Sequence, residues 1–174
     1  MSSEIEIEKT FLAKYLPADL NKYESVDILD VYVPKKVKNA DIRIRKRNNI
    51  YTITKKSLVP DQNAGTKIEE NIIITEEEFK ALSKSESNKL RKKRYYYPYK
   101  GNMAEIDIFT GNLKGLVLVD FEFKNHEEMN KFIIPDFCLA DVTEEIDIAG
   151  GVLCHSNFSI LKRMLDRFSY KKII

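Results

Sequence analysis

Charged residues at every second position, repeated in one segment after another, constrain this chain more than any other feature. Glu4, Glu6 and Glu8 alternate with Ile5 and Ile7, and Arg43, Arg45 and Arg47 are interleaved with Ile42 and Ile44 on the other face. Glu105 and Asp107 alternate with Ile106 and Ile108, and Asp120 and Glu122 with Val117, Val119, Phe121 and Phe123. Side chains on a β-strand point to opposite faces in turn, so each of these segments has one charged face and one apolar face. Taken singly, each is an ordinary amphipathic strand with a solvated side. Taken together, they predict a sheet whose charged faces share one space. Eight antiparallel strands can close into a barrel, which removes the exposed edges, and helices packed outside would leave the charged faces pointing inward.

The remaining punctuation fits that architecture. Strand-like segments lie near residues 4–12, 26–33, 41–47, 50–56, 66–74, 89–97, 104–110 and 116–124, bounded by turn residues. Asn48-Asn49 predicts a tight hairpin, Gly101-Asn102 and Gly111-Asn112 mark later turns, and Pro60 to Gly65 reads as a longer loop. Thr75 with Glu78 is a capping box that opens a helix through Leu82, and Asn125 with Glu128 opens a second that ends before Pro135. Phe158, Leu161, Met164, Leu165 and Phe168 form the apolar stripe of a C-terminal helix packed on the sheet. The expected fold class is mostly β (α+β), an eight-stranded antiparallel tunnel-type β-barrel with flanking helices.

The 174 residues are long enough to bury a core without staples, and they are expected to form a single domain spanning 1–174. The net charge of +2 arises from 29 basic and 27 acidic residues, so global charge names no partner and the local arrangement must do so. No apolar run approaches the ~20 residues of a membrane span, and no signal peptide precedes the first strand. A cytoplasmic protein is expected. Cys138 and Cys154 lack metal-ligand spacing and read as buried free thiols, and the isolated His126 and His155 do not suggest a zinc site.

The charged faces carry a sign. The first, seventh and eighth strands are acidic, whereas the third is basic, the fourth groups Thr52, Thr54 and Lys56, and the fifth aligns Lys67, Glu69 and Asn71. The sixth, from Arg91 to Tyr97, is basic on both faces, so periodicity alone leaves its register open between Lys92, Arg94 and Tyr96 and the alternative set. Carboxylates two residues apart offer hard oxygen ligands for Mg²⁺ or Mn²⁺, while guanidinium and ammonium groups neutralise phosphates. A triphosphate between the two walls satisfies both, the arginine forks gripping oxygens that the metal does not bridge. The alternatives are mutual salt-bridging across an ordinary open sheet and a basic surface for nucleic acid.

The order of the segments resembles a known family. Glu6-Ile7-Glu8 followed by Phe11-Leu12, then Arg43-Ile44-Arg45, Thr54-Lys55-Lys56, Lys67-Ile68-Glu69 and Leu90 to Tyr95 are similar to the motifs of the CYTH superfamily, the triphosphate tunnel metalloenzymes. Glu105 to Phe109, Gly115 to Phe123 and Asp141-Val142-Thr143 continue the match, which spans roughly residues 4–145. Each motif is weak alone, and their order and spacing are what is specific. The short chain and the Glu-Ile-Glu opening look like the compact bacterial tripolyphosphatase branch.

What this resemblance implies is metal-dependent hydrolysis of a triphosphate, most readily inorganic tripolyphosphate, with water as nucleophile. It implies Glu6, Glu8 and Glu122 as catalytic residues, Glu6, Glu8, Asp120 and Glu122 as metal ligands, and Arg43, Arg45, Lys56, Lys67, Lys92 and Arg94 as phosphate-binding residues. Glu105 and Asp107 match a second acidic strand without a defined role. The implied partners are a small-molecule triphosphate and Mg²⁺ or Mn²⁺, with no nucleic acid or membrane required and a monomer or homodimer as the assembly. A class IV adenylyl cyclase, a nucleoside or thiamine triphosphatase, and a non-catalytic polyphosphate- or nucleotide-binding module are the alternatives. Four positions depart from the family pattern. Thr10 stands where a lysine is expected, Asp30 where glutamine is common, Asn71 where a second glutamate often follows Glu69, and Asp120 where glutamate is usual.

Overall fold

In the computed structural model, which describes residues 2–33, 41–60, 62–84 and 88–173, the eight foreseen strands form one closed antiparallel barrel. They are β1 (Ser2–Ala13), β2 (Ser25–Val33), β3 (Ile42–Arg47), β4 (Ile50–Leu58), β5 (Thr66–Ile74), β6 (Lys89–Tyr99), β7 (Asn102–Phe109) and β8 (Val117–Glu122). The order around the barrel is β5-β4-β3-β2-β6-β7-β8-β1, and β1 pairs again with β5 to close it.

Closure depends on the length of β1. Its first half pairs with β5, from Ser2 opposite Asn71 to Ile7 opposite Thr66, and its second half pairs with β8, from Glu8 opposite Glu122 to Leu12 opposite Leu118. At the handover, the Glu8 N–H donates to the Gly65 carbonyl at 2.8 Å. A Cβ at Gly65 would stand 2.5 Å from the Glu8 carbonyl oxygen, so only glycine allows the loop to approach β1 this closely. A short ninth strand, β9 (Cys138–Asp141), then pairs with Phe11, Leu12 and Ala13 along the edge that β5 has left. Four residues without alternation gave it no signature in the sequence.

The helices lie where their caps put them. Thr75 closes the capping box with Glu78 at the start of α1 (Glu76–Leu82), and Asn125 caps α2 (His126–Lys131) by accepting from Glu128 N–H. Between β9 and the C-terminal helix, a 3-10 turn over Ile146–Ile148 runs into the short α3 (Gly150–Leu153), which the sequence did not announce. Asn157 caps α4 (Phe158–Arg167), whose buried face is Leu161, Met164 and Leu165.

The core lies outside the barrel wall and at one end of it. Phe11, Ile106, Val117, Val119 and Phe121 are buried in the outer layer with Met129 of α2. A second cluster joins Leu12, Leu90, Phe109, Leu118, Val142, Ile148 and Leu153 to the α4 stripe. Burial of these side chains contributes roughly 1.5–3 kcal/mol each. It thereby stabilises a fold whose interior is charged. Cys138 and Cys154 are buried free thiols, as expected, and burial pushes both up, to about 12 and about 11.

Candidate active site

The barrel interior is a cavity of about 690 Å³, and Glu6, Glu8, Arg43, Arg45, Lys56, Lys67, Lys92, Arg94, Asp120 and Glu122 all line it. Strand alternation put them there. Lys92 and Arg94 face inward beside Asp107, which resolves the register of β6 that the sequence left open. Glu4, by contrast, shares a face with Glu6 but is exposed and does not line the cavity. Lys9 points outward, where it meets Asp141 at 3.2 Å.

The two signs are not held on opposed walls. Ion pairs between strands stitch them together instead, two of them reaching past an intervening strand. Lys56 contacts Glu6 and lies 3.0 Å from Glu69, and Lys67 donates to Glu8 at 2.7 Å. Arg45 grips Asp30 with two hydrogen bonds, 2.6 Å from Nε and 2.8 Å from Nη2. Arg94 is the hub of the opposite side: it holds Asp107 at 2.7 and 2.6 Å, contacts Glu105 and reaches Asp120 at 3.3 Å, while Lys92 also donates to Asp107.

These contacts divide the carboxylates into two groups. Burial alone would raise Asp107, yet Arg94 and Lys92 hold it down at about 2, and Arg45 likewise holds Asp30 well below the usual carboxylate range. Asp120 goes the other way. Burial and the charges of Asp107 and Glu8 push it up to about 6, because Arg94 is already engaged by Asp107 and reaches Asp120 only at 3.3 Å. Burial raises Glu122 too, with Glu8 adding to it, and among the described residues Glu122 has no ion pair of its own. Glu8 and Glu122 sit directly opposite each other on β1 and β8. Like charges so placed repel unless a cation lies between them. Burial lowers Lys92 to about 8 despite its Asp107 contact.

Several residues without a role in the sequence pattern complete the site. Thr10 donates its hydroxyl to Asp120 Oδ1 at 2.8 Å, and its backbone N–H donates to Thr143 Oγ1 at 3.1 Å. Thr54 donates to Asn71 Oδ1 at 2.7 Å and Asn71 donates to Glu69 at 2.7 Å, so Asn71 relays between the fourth and fifth strands. One end of the cavity is floored by Tyr32, Leu90, Phe109, Leu118, Ile148 and Leu153. There the Tyr32 hydroxyl occupies the space a Cβ at Gly150 would need, 1.8 Å away. Arg43 Nε is buried without a hydrogen-bond partner, a donor left open inside a polar cavity.

Among the described residues, no three His, Cys, Asp or Glu side chains stand as a ready-made metal cage. The donor chemistry nonetheless fits a hard divalent cation, since Glu8, Asp120 and Glu122 bring carboxylate oxygens from adjacent strands and two of them are poorly neutralised by protein.

No family model matches the sequence. The chain is similar to a protein named inorganic triphosphatase from Nitrosomonas europaea, with 28% identity over 142 residues that cover 80% of this chain and 90% of the relative. Among solved structures, it is similar to that of an inorganic triphosphatase at a TM-score of 0.65 and 28% identity, covering 87% of this chain and 95% of the other. A putative adenylate cyclase from Bacillus halodurans shares the fold at a TM-score of 0.52 and 17% identity, covering 100% of this chain and 95% of its own. The motif order, the closed charged tunnel and these relatives converge on a likeness to inorganic triphosphatase, in line with the resemblance to the CYTH superfamily that the motifs carry.

Proposed function

We propose that the chain hydrolyses a triphosphate, inorganic tripolyphosphate first among them, inside its tunnel with the help of Mg²⁺ or Mn²⁺. The observation that carries the reading is the balance of the lining: among the described residues, eleven acidic ones surround the cavity against eight basic ones. Such a space repels a polyanion on its own and accepts one only together with cations, whereas a metal-free anion site would carry a basic excess. The relative's activity supports the same choice of substrate.

In this reading, Arg43 offers its open Nε to a phosphate oxygen, and Arg45, Lys56 and Arg94 surround the rest of the chain of phosphates. Glu8, Asp120 and Glu122 would hold the divalent ion, with Glu6 beside them. When bound, the ion would stabilise the negative charge that develops in phosphoryl transfer. Glu122, without an ion pair among the described residues and with raised proton affinity, would accept the proton of the attacking water. The apolar floor keeps bulk water from that end of the site.

The test is phosphate release from tripolyphosphate by metal-stripped protein, before and after addition of Mg²⁺ or Mn²⁺. Release only with metal is expected. Undiminished release from stripped protein would refute the role given to the carboxylates. A second reading, a binding module without turnover, rests on Thr10 in place of a cation; tight tripolyphosphate binding with no release under any metal would favour it.

A further inference from the structure

The Asp30–Arg45 pair is a buried ion pair of the tunnel whose carboxylate the proposed reaction does not explain. Asp30 is 1% exposed on β2 and takes both of its hydrogen bonds from Arg45 on β3, directly across the ladder. The same carboxylate lies 4.0 Å from Arg43 Nε, too far for a hydrogen bond. Arg43 therefore keeps an open donor while Arg45 is neutralised by a fixed charge. A bidentate carboxylate also locks the plane of a guanidinium, leaving Nη1 as the group outside the fork.

We infer that Asp30 is a positioning residue that cancels the charge of Arg45 while fixing its orientation, so that Arg45 offers substrate a directed hydrogen bond and Arg43 supplies the net positive charge of that wall. This rests on the proposed function of the tunnel and goes beyond it. Its consequence is a trade between grip and release. A fully charged Arg45 beside Arg43 would hold phosphate products more tightly, and with Asp30 in place they leave more readily.

Isothermal titration with tripolyphosphate and with pyrophosphate, in the presence of Mg²⁺ and at two salt concentrations, tests the inference on Asp30→Asn, Arg45→Met and the double variant, alongside release assays. Asn retains the shape and one acceptor for Arg45 but removes the charge. Asp30→Asn is expected to tighten pyrophosphate binding by about tenfold, the effect of one unscreened charge several ångströms away. Its turnover should fall as product release slows, and its binding should become more salt-sensitive. Arg45→Met alone is expected to weaken binding and to lower its salt dependence, because it leaves the Asp30 carboxylate unpaired, whereas the double variant, which removes both charges, should return toward the wild-type salt dependence without the gain of Asp30→Asn. Should Asp30→Asn fail to fold, the comparison of Arg45→Met with the double variant decides the matter, since removing the unpaired Asp30 charge as well should tighten binding. Unchanged or weaker binding in folded Asp30→Asn, or a double variant that binds no more tightly than Arg45→Met, would overturn the role of Asp30 while leaving the tunnel's function intact. No binding of either anion to the wild type, with or without Mg²⁺, would overturn both.

Discussion

Thr10 and Asp120 face each other across the β1–β8 ladder, and the threonine hydroxyl donates to Asp120 Oδ1 at 2.8 Å. The family pattern places a lysine at this position. A neutral donor there orients the carboxylate without supplying charge, and Asp120 is left among Asp107 and Glu8 with its proton affinity raised.

Thr10→Lys should therefore raise the turnover rate, by about tenfold if the ammonium comes near the reacting phosphoryl group, because such a charge acts on the transition state more than on the bound substrate. Thr10→Val, which removes the donor but keeps the shape, should lower it. Steady-state kinetics on both variants check this. A rate indifferent to the lysine would show that Asp120 and its neighbours already replace it.

Glu122→Gln should cut activity by at least a hundredfold and leave the melting temperature equal or higher. The variant removes one of two carboxylates facing each other between β1 and β8, and no ion pair of Glu122 is lost with it. A melting temperature that falls in step with activity would instead make Glu122 a structural residue.

Arg43→Ala and Arg94→Ala should part company. Among the described residues, Arg43 makes only a 3.5 Å contact to Thr54 and a 4.0 Å approach to Asp30, so its loss should weaken tripolyphosphate binding with little change in stability. Arg94 is buried against Asp107, Glu105 and Asp120, and its removal strands carboxylates in the interior, an effect of about 3–5 kcal/mol. The sequence alone suggests that thinning a crowd of like charges is harmless. Interleaved carboxylates reverse that expectation for Arg94. Chemical denaturation of the two variants separates the cases.

The metal-free protein should gain stability as the pH is lowered from 7 toward 5. Asp120 titrates near 6 when folded and near 3.8 when unfolded, so the folded state binds its proton first, and the penalty of the ionised form, up to ~3 kcal/mol, is relieved through that window. Asp107, held at about 2, has the opposite sign: its contribution is present above pH 4 and is lost as the pH falls toward 2. Melting temperatures across pH 2–8 should pass through a maximum, and Asp120→Asn should flatten the side above pH 5. A monotonic fall from pH 7 downward would contradict the assignment of Asp120.

Much of this molecule is local and therefore legible in its sequence. Alternation fixes which side chains share a face, so Glu6 and Glu8, Arg43 and Arg45, and Asp120 and Glu122 could be assigned to one interior before any pairing was known, and the caps at Thr75 and Asn125 mark where helices begin. Alternation is silent wherever both faces read alike, as along Arg91 to Arg94, and wherever an element is too short to show a period, as in Cys138–Asp141 and Gly150–Leu153. Tertiary structure alone decided who partners whom. The closing register of β1 sets Glu8 against Glu122, and the order β3-β2-β6 gives Arg45 to Asp30 while Arg94 goes to Asp107 on β7. Those partners, distant in the chain, determine which cations are neutralised and which carboxylates are left to seek a metal, because the strength of a charge inside a protein depends on what the fold puts beside it.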